Sequence, residues 1–199
     1  MKLPNVKEMI MKIVMKWLTV PITFLVIALT GAAINLPQQF IKTKDKHDIV
    51  ISFGLNAVYL GLYSGVIAGI MVDKLSNLIS FLIAAVLALI SYIPLAFIAD
   101  LEGTPVDLAI LGLFFLAGLS GSIGVITSVV SLAKNFDAGQ ASLLLVAIAV
   151  TYWKLASGMD SALHTGFMKD ATPQVYFIVV GCIVFIALLV AAFAMTKVE

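Results

Sequence analysis

The chain has 199 residues, 62% hydrophobic and 12% charged, with a formal net charge of +1. A water-soluble fold of this size lacks the interior to hide so much apolar side chain, so composition points to a bilayer. All twelve basic residues are lysine, which removes the bidentate grip on phosphate and gives no reason to expect a nucleic-acid partner. Cys182 is the only cysteine, so no internal disulfide forms.

Six apolar runs approach or exceed the roughly 20 residues that span a hydrocarbon core. They predict an all-α integral membrane protein, a six-transmembrane-helix bundle with no separate soluble domain. Residues 1–16 form a lysine-rich segment (Lys2, Lys7, Lys12, Lys16). Three roles suit it: a helix start flanked by lysines, a helix on the membrane surface, or a short mitochondrial address. The single membrane domain then covers 17–199, with helices over about 17–36, 49–72, 78–99, 107–133, 138–168 and 174–196. Pro21 falls in the first turns of helix 1, where proline is tolerated.

Helix 2 carries Gly61, Gly65 and Gly69, with Asp73 four residues on. These share one face, and small residues at that spacing let a second backbone approach. Asn56, Tyr59 and Tyr63 fall on the opposite face. Helix 3 contains Pro94, a candidate bend. In helix 4, Ser120, Thr127 and Ser131 share one face, and Gly118 and Gly121 form a packing pair on another.

Helix 5 is the exception among apolar helices. Its second half holds Lys154, Asp160 and His164. A charge near mid-bilayer costs at least about 2.5–3.5 kcal/mol unless paired or hydrated. Ser161 and Thr165 lie within about 20° of Lys154 around the helix, and Asp160 can meet His164 four residues on. Lys154 therefore serves a polar path, contacts a partner protein, or snorkels outward past a break near Gly158. With Asn56, Tyr59 and Ser120 it makes up the candidate polar path or partner contact. The only two histidines, His47 and His164, sit in a loop and a helix. No zinc-binding, nucleophile-elbow or phosphate-loop motif is present, so no catalysis, metal or cofactor is expected.

An even number of crossings puts both termini on one side. That side holds seven lysines and the opposite loops four, which favours termini inside.

Gly69-Ile-Met-Val-Asp73-Lys74, between helices 2 and 3, resembles the signature loop of the major facilitator superfamily. The wider phrase from Gly65 to Leu75 is similar to its nodulin-like branch, as are Lys16-Trp17-Leu18-Thr19, Gly31 to Pro37 and Asn135-Phe136. Leu75-Ser76-Asn77 replaces the glycine and further basic residues of that loop. Gln140 stands near where an arginine would partner the loop aspartate. The chain is similar only to the N-terminal six-helix half of such a transporter.

A lone half leaves its polar inner face without a wall, which lipid does not satisfy. The resemblance therefore implies a non-catalytic accessory subunit of a larger membrane complex. A respiratory assembly of the mitochondrial inner membrane is one host that would suit it. The alternative is a half-size solute transporter paired with a second half-bundle.

Overall fold

The computed structural model of the protein describes residues 6–31, 48–136, 143–149, 151–152 and 171–195. Every regular element among them is an α-helix. In chain order these are α1 (Val6–Gly31), α2 (Asp48–Tyr63), α3 (Gly65–Lys74), α4 (Asn77–Ile98), α5 (Thr104–Asn135), the short α6 (143–149) and α7 (Pro173–Met195).

Four stretches are long and apolar enough to cross a bilayer: Asp48–Lys74, Asn77–Ile98, Thr104–Asn135 and Pro173–Met195. The chain is thus a multi-pass helical membrane protein. The apolar part of α1 over Lys16–Gly31 is shorter. The predicted first span continues past Gly31, and the predicted 138–168 helix lies mostly outside the described residues. Among the described residues, four membrane-length stretches are present, and the expected six are not confirmed.

Helix α5 is the hub, packing against α1, α2, α3 and α4, while α4 lies along α7 and α1 touches α7. Local contacts set the directions. Ser120 Oγ on α5 donates to the Ala84 carbonyl on α4 at 2.7 Å. A Cβ at Gly181 of α7 would sit 2.6 Å from the Cβ of Tyr92 on α4. Near one end, Gln174 Nε2 donates to Asp100 Oδ2 at 2.7 Å. Residue numbers rise on α4 as they fall on α7, so the two run antiparallel. The core these helices enclose includes Phe81, Tyr92, Phe114 and Phe177, all at most 1% exposed.

The connections follow standard end chemistry. Ser76 caps α4, its Oγ accepting from Ile79 N–H at 3.3 Å, so residues 73–77 turn tightly as the sequence suggests. Gly103 precedes α5 at φ 123°, a conformation that favours glycine. Its carbonyl accepts from Val106 N–H (2.9 Å) and Asp107 N–H (3.0 Å).

Two expectations are corrected. Helix α1 begins at Val6, so Pro21 lies well inside it rather than in its first turns. There it deletes the amide that would bond the Trp17 carbonyl. The predicted single helix over 49–72 is broken at Ser64 into α2 and α3. Ser64 N–H is shared between the Leu60 (3.1 Å) and Gly61 (3.2 Å) carbonyls, and Ile67 N–H turns to the Ser64 carbonyl at 2.9 Å. Ser64 Oγ also donates to Leu60 O at 2.8 Å. A serine competing for backbone partners between Gly61 and Gly65 shifts the ladder from i−4 to i−3 for one turn.

Ser76 and Thr104 are exposed at opposite ends of α4. That helix has 22 residues, a rise of about 33 Å at 1.5 Å per residue. With exposed Cys182 changed to serine, Ser76→Cys and Thr104→Cys should label with impermeant maleimide from opposite sides of sealed vesicles. Labelling of both from one side would rule out this crossing.

Candidate functional site

Of the candidate residues, Asn56, Tyr59 and the glycine stripe lie on the α2–α3 span, which packs against α5. The contact is built from glycine. A Cβ on Gly61 would collide with the Phe115 carbonyl and lie 2.7 Å from Leu119 N. A Cβ on Gly118 would collide with the Val58 carbonyl. Each glycine thus lies against the partner's backbone, the arrangement in which Cα–H groups meet carbonyl oxygens.

One turn on, Gly65 faces Ile126 Cδ1 at 3.2 Å and Ser122 Oγ at 3.5 Å. At Gly69 nothing lies within 4 Å of the added carbon. The stripe is therefore graded: backbone contact at Gly61, side-chain contact at Gly65, open space at Gly69. Contact partners rise in number together along α2–α3 and α5, so the two run parallel. Gly121 turns to a different neighbour, 3.3 Å from the Thr30 carbonyl of α1.

The opposite side of α2 is bare. Asn56 is exposed and Tyr63 is 75% exposed. Tyr59 is half-buried and stacks on Tyr63 with centroids 5.8 Å apart and rings 16° from parallel. Leu60 (64%) and Val66 (75%) flank them. Only 28% of the membrane-length window of Asp48–Lys74 is buried, against 56% for α5.

Ser120 does not join Asn56 and Tyr59. It is 1% exposed, and its hydroxyl is spent on Ala84 of α4. Asp73 and Lys74 are exposed in the last turn of α3, where the lysine complements the helix dipole. Lys154, Asp160 and His164 lie outside the described residues, as does His47. Among the described residues no three His, Cys, Asp or Glu side chains gather as a metal site would need.

Two phrases singled out in the sequence meet in space. Trp17 packs edge-on against Phe136 at 5.3 Å and 80°, and Lys16 Nζ stands 5.0 Å above the same ring. The middle of α1 is thereby tied to the end of α5 by an aromatic contact and a cation–π contact. Sequence reading missed other close approaches, such as Gly124 of α5, where a Cβ would lie 2.9 Å from Leu188 Cδ2 of α7. Small residues three apart at 118, 121 and 124 were the available signal.

No family model matches the chain, and neither a curated protein nor a solved structure matches it significantly.

Two glycine substitutions separate contact from composition. Gly61→Ala forces a methyl into the α5 backbone and should lower stability by the roughly 1–3 kcal/mol typical of overpacking. Gly69→Ala meets no neighbour and should be neutral or raise stability by up to about 1 kcal/mol through helix propensity. Thermal unfolding in mild detergent reads both; equal effects would refute the graded contact. Ser120→Ala should cost about 0.5–1.5 kcal/mol in the same assay, the usual value of one hydrogen bond.

Proposed function

We propose that this chain is a transporter-derived, non-catalytic accessory subunit of a larger membrane assembly, docked through the bare side of α2. The observation that carries the reading is the polar group on that side. The Asp48–Lys74 span is centred near Gly61, so Asn56 lies about 8 Å from its midpoint at 1.5 Å per residue. That is inside a hydrocarbon core about 30 Å thick. Neither the Asn56 carboxamide nor the Tyr59 or Tyr63 hydroxyl makes a hydrogen bond within the protein among the described residues. Facing lipid, such groups have no partner, and polar side chains between membrane helices act as glue. A neighbouring protein covering α2 resolves the cost.

The loop built from Gly69, Asp73 and Lys74 supports descent from one half of a major facilitator transporter. So does the meeting of Lys16, Trp17 and Phe136. Gln140 near the place where an arginine would partner the loop aspartate favours a retired transporter over a working one. A respiratory complex of the inner mitochondrial membrane is one host that this role would suit.

The test is co-purification in mild detergent beside solute uptake by reconstituted protein. Asn56→Leu with Tyr63→Leu changes exposed positions, so the isolated protein should unfold within about 0.5 kcal/mol of wild type while losing its partners. If Lys154 pairs with an acidic group of the partner, Lys154→Met should also lose association, because breaking a buried charge pair from one side costs about 3–5 kcal/mol. Wild-type uptake should not exceed that of empty vesicles. Strong uptake by the isolated protein, abolished by Lys154→Met with association intact, would instead establish a half-size transporter.

A further inference from the structure

Helices α1 and α5 meet along two facing stripes. On α1 the stripe is Thr19, Thr23, Val26 and Thr30, spaced four, three and four residues apart. Thr30 and Val26 of this stripe face Gly121 and Gly124 of α5. On α5 the stripe continues from Gly121 and Gly124 through Ser128, Ser131 and Asn135. Thr30 opposes Gly121 at one end and Trp17 meets Phe136 at the other. The helices are therefore antiparallel, and this register sets Thr23 opposite the Ser128–Ser131 turn. Leu188 of α7 closes the third side at Gly124.

This seam holds a concentration of unpaired polar atoms. Thr23 Oγ1, Ser128 Oγ, Ser131 Oγ and Asn135 Nδ2 are buried and make no hydrogen bond. Thr23 and Ser128 are 0% exposed and Ser131 is 1% exposed. Their neighbours behave differently. Thr19, Thr30 and Thr127 each return the hydroxyl to a carbonyl of their own helix at 2.7 Å. That same escape is open to Thr23, Ser128 and Ser131, and they do not take it. Leaving a buried hydroxyl unpaired is costly, and four together on one seam multiply the cost.

We propose that the α1–α5 seam holds internal water, admitted from the end where α5 finishes beside Trp17. The chemistry selects water over an ion. Asn135 Nδ2 only donates, so a bare cation does not satisfy it, and Lys16 and Lys134 flank that end. The C-termini of α5 and α7 turn their negative dipole ends toward the same side, which disfavours an anion. Water donates and accepts, and buried water ordinarily settles where two or more polar groups lack partners. The end concerned also carries Ser76, because α3 runs parallel to α5. The proposal does not depend on which partner covers α2.

The test uses the full chain with Cys182→Ser, reconstituted in vesicles. A thiol reacts with methyl methanethiosulfonate only as thiolate, which forms where water reaches it. Ser128→Cys and Ser131→Cys should react within about tenfold of the exposed Ser76→Cys. Ala88→Cys, in the apolar core of α4, should be slower by about a hundredfold, as buried structural cysteines are. Seam cysteines as slow as Ala88→Cys would overturn the proposal. A second measurement covers the case in which a cysteine variant fails to fold. Ser128→Ala with Ser131→Ala removes partners from bridging water and should lower Tm. In a dry seam it removes unpaired hydroxyls, so an unchanged or raised Tm would also overturn the proposal.

Discussion

The structure depends on one backbone-to-backbone contact, the reciprocal seating of Gly61 against α5 and Gly118 against α2. No side chain separates the two helices there. This close approach fixes the rotation of α2. Once Gly61 faces α5, helical geometry sends Asn56, Tyr59 and Tyr63 to the far side. The bare polar side and the packed glycine side are two consequences of a single constraint. The break at Ser64 follows three residues later, so α3 leaves the crossing point at its own angle and reaches Ser122 and Ile126 rather than a second glycine.

Helix α5 distributes the bundle's polar and small residues among its neighbours. Gly118 admits α2, Gly121 admits α1, Gly124 admits both α1 and α7, and Ser120 bonds α4. A hub touched on several sides cannot be amphipathic in the usual sense, because it has no single outer face. In a membrane, where lipid is as apolar as leucine, close packing and interhelical hydrogen bonds take over from the hydrophobic effect. The hydroxyls of Thr23, Ser128 and Ser131 belong to the same economy of small polar residues. They differ in leaving the carbonyls of their own helix unused.

Ser120 illustrates how far a one-helix reading reaches. From sequence it shares a face with Thr127 and Ser131 and joins Asn56 and Tyr59 in one polar set. In the bundle its hydroxyl belongs to the α4 contact, Thr127 bonds its own helix, and Ser131 enters the α1 seam. Asn56 and Tyr59 stand on the other side of α2. Residues within about 60° of each other on one helix touch different neighbours when three or four helices surround it.

Composition and run length by themselves determined that this is a multi-pass helical membrane protein, because no other environment tolerates so much apolar side chain. Turn chemistry at Asp73–Asn77 and the start of α4 were equally legible, being local. Which glycine carries a contact was not. Gly61, Gly65 and Gly69 have the same spacing and the same helical face, yet only the first meets a backbone. That difference depends on the crossing angle of two helices and on a break caused by hydrogen bonds at Ser64, and neither is a property of a periodic pattern. Likewise Thr19, Thr23 and Thr30 are alike in sequence. Only the folded structure shows that the Thr23 hydroxyl is the one left without a partner.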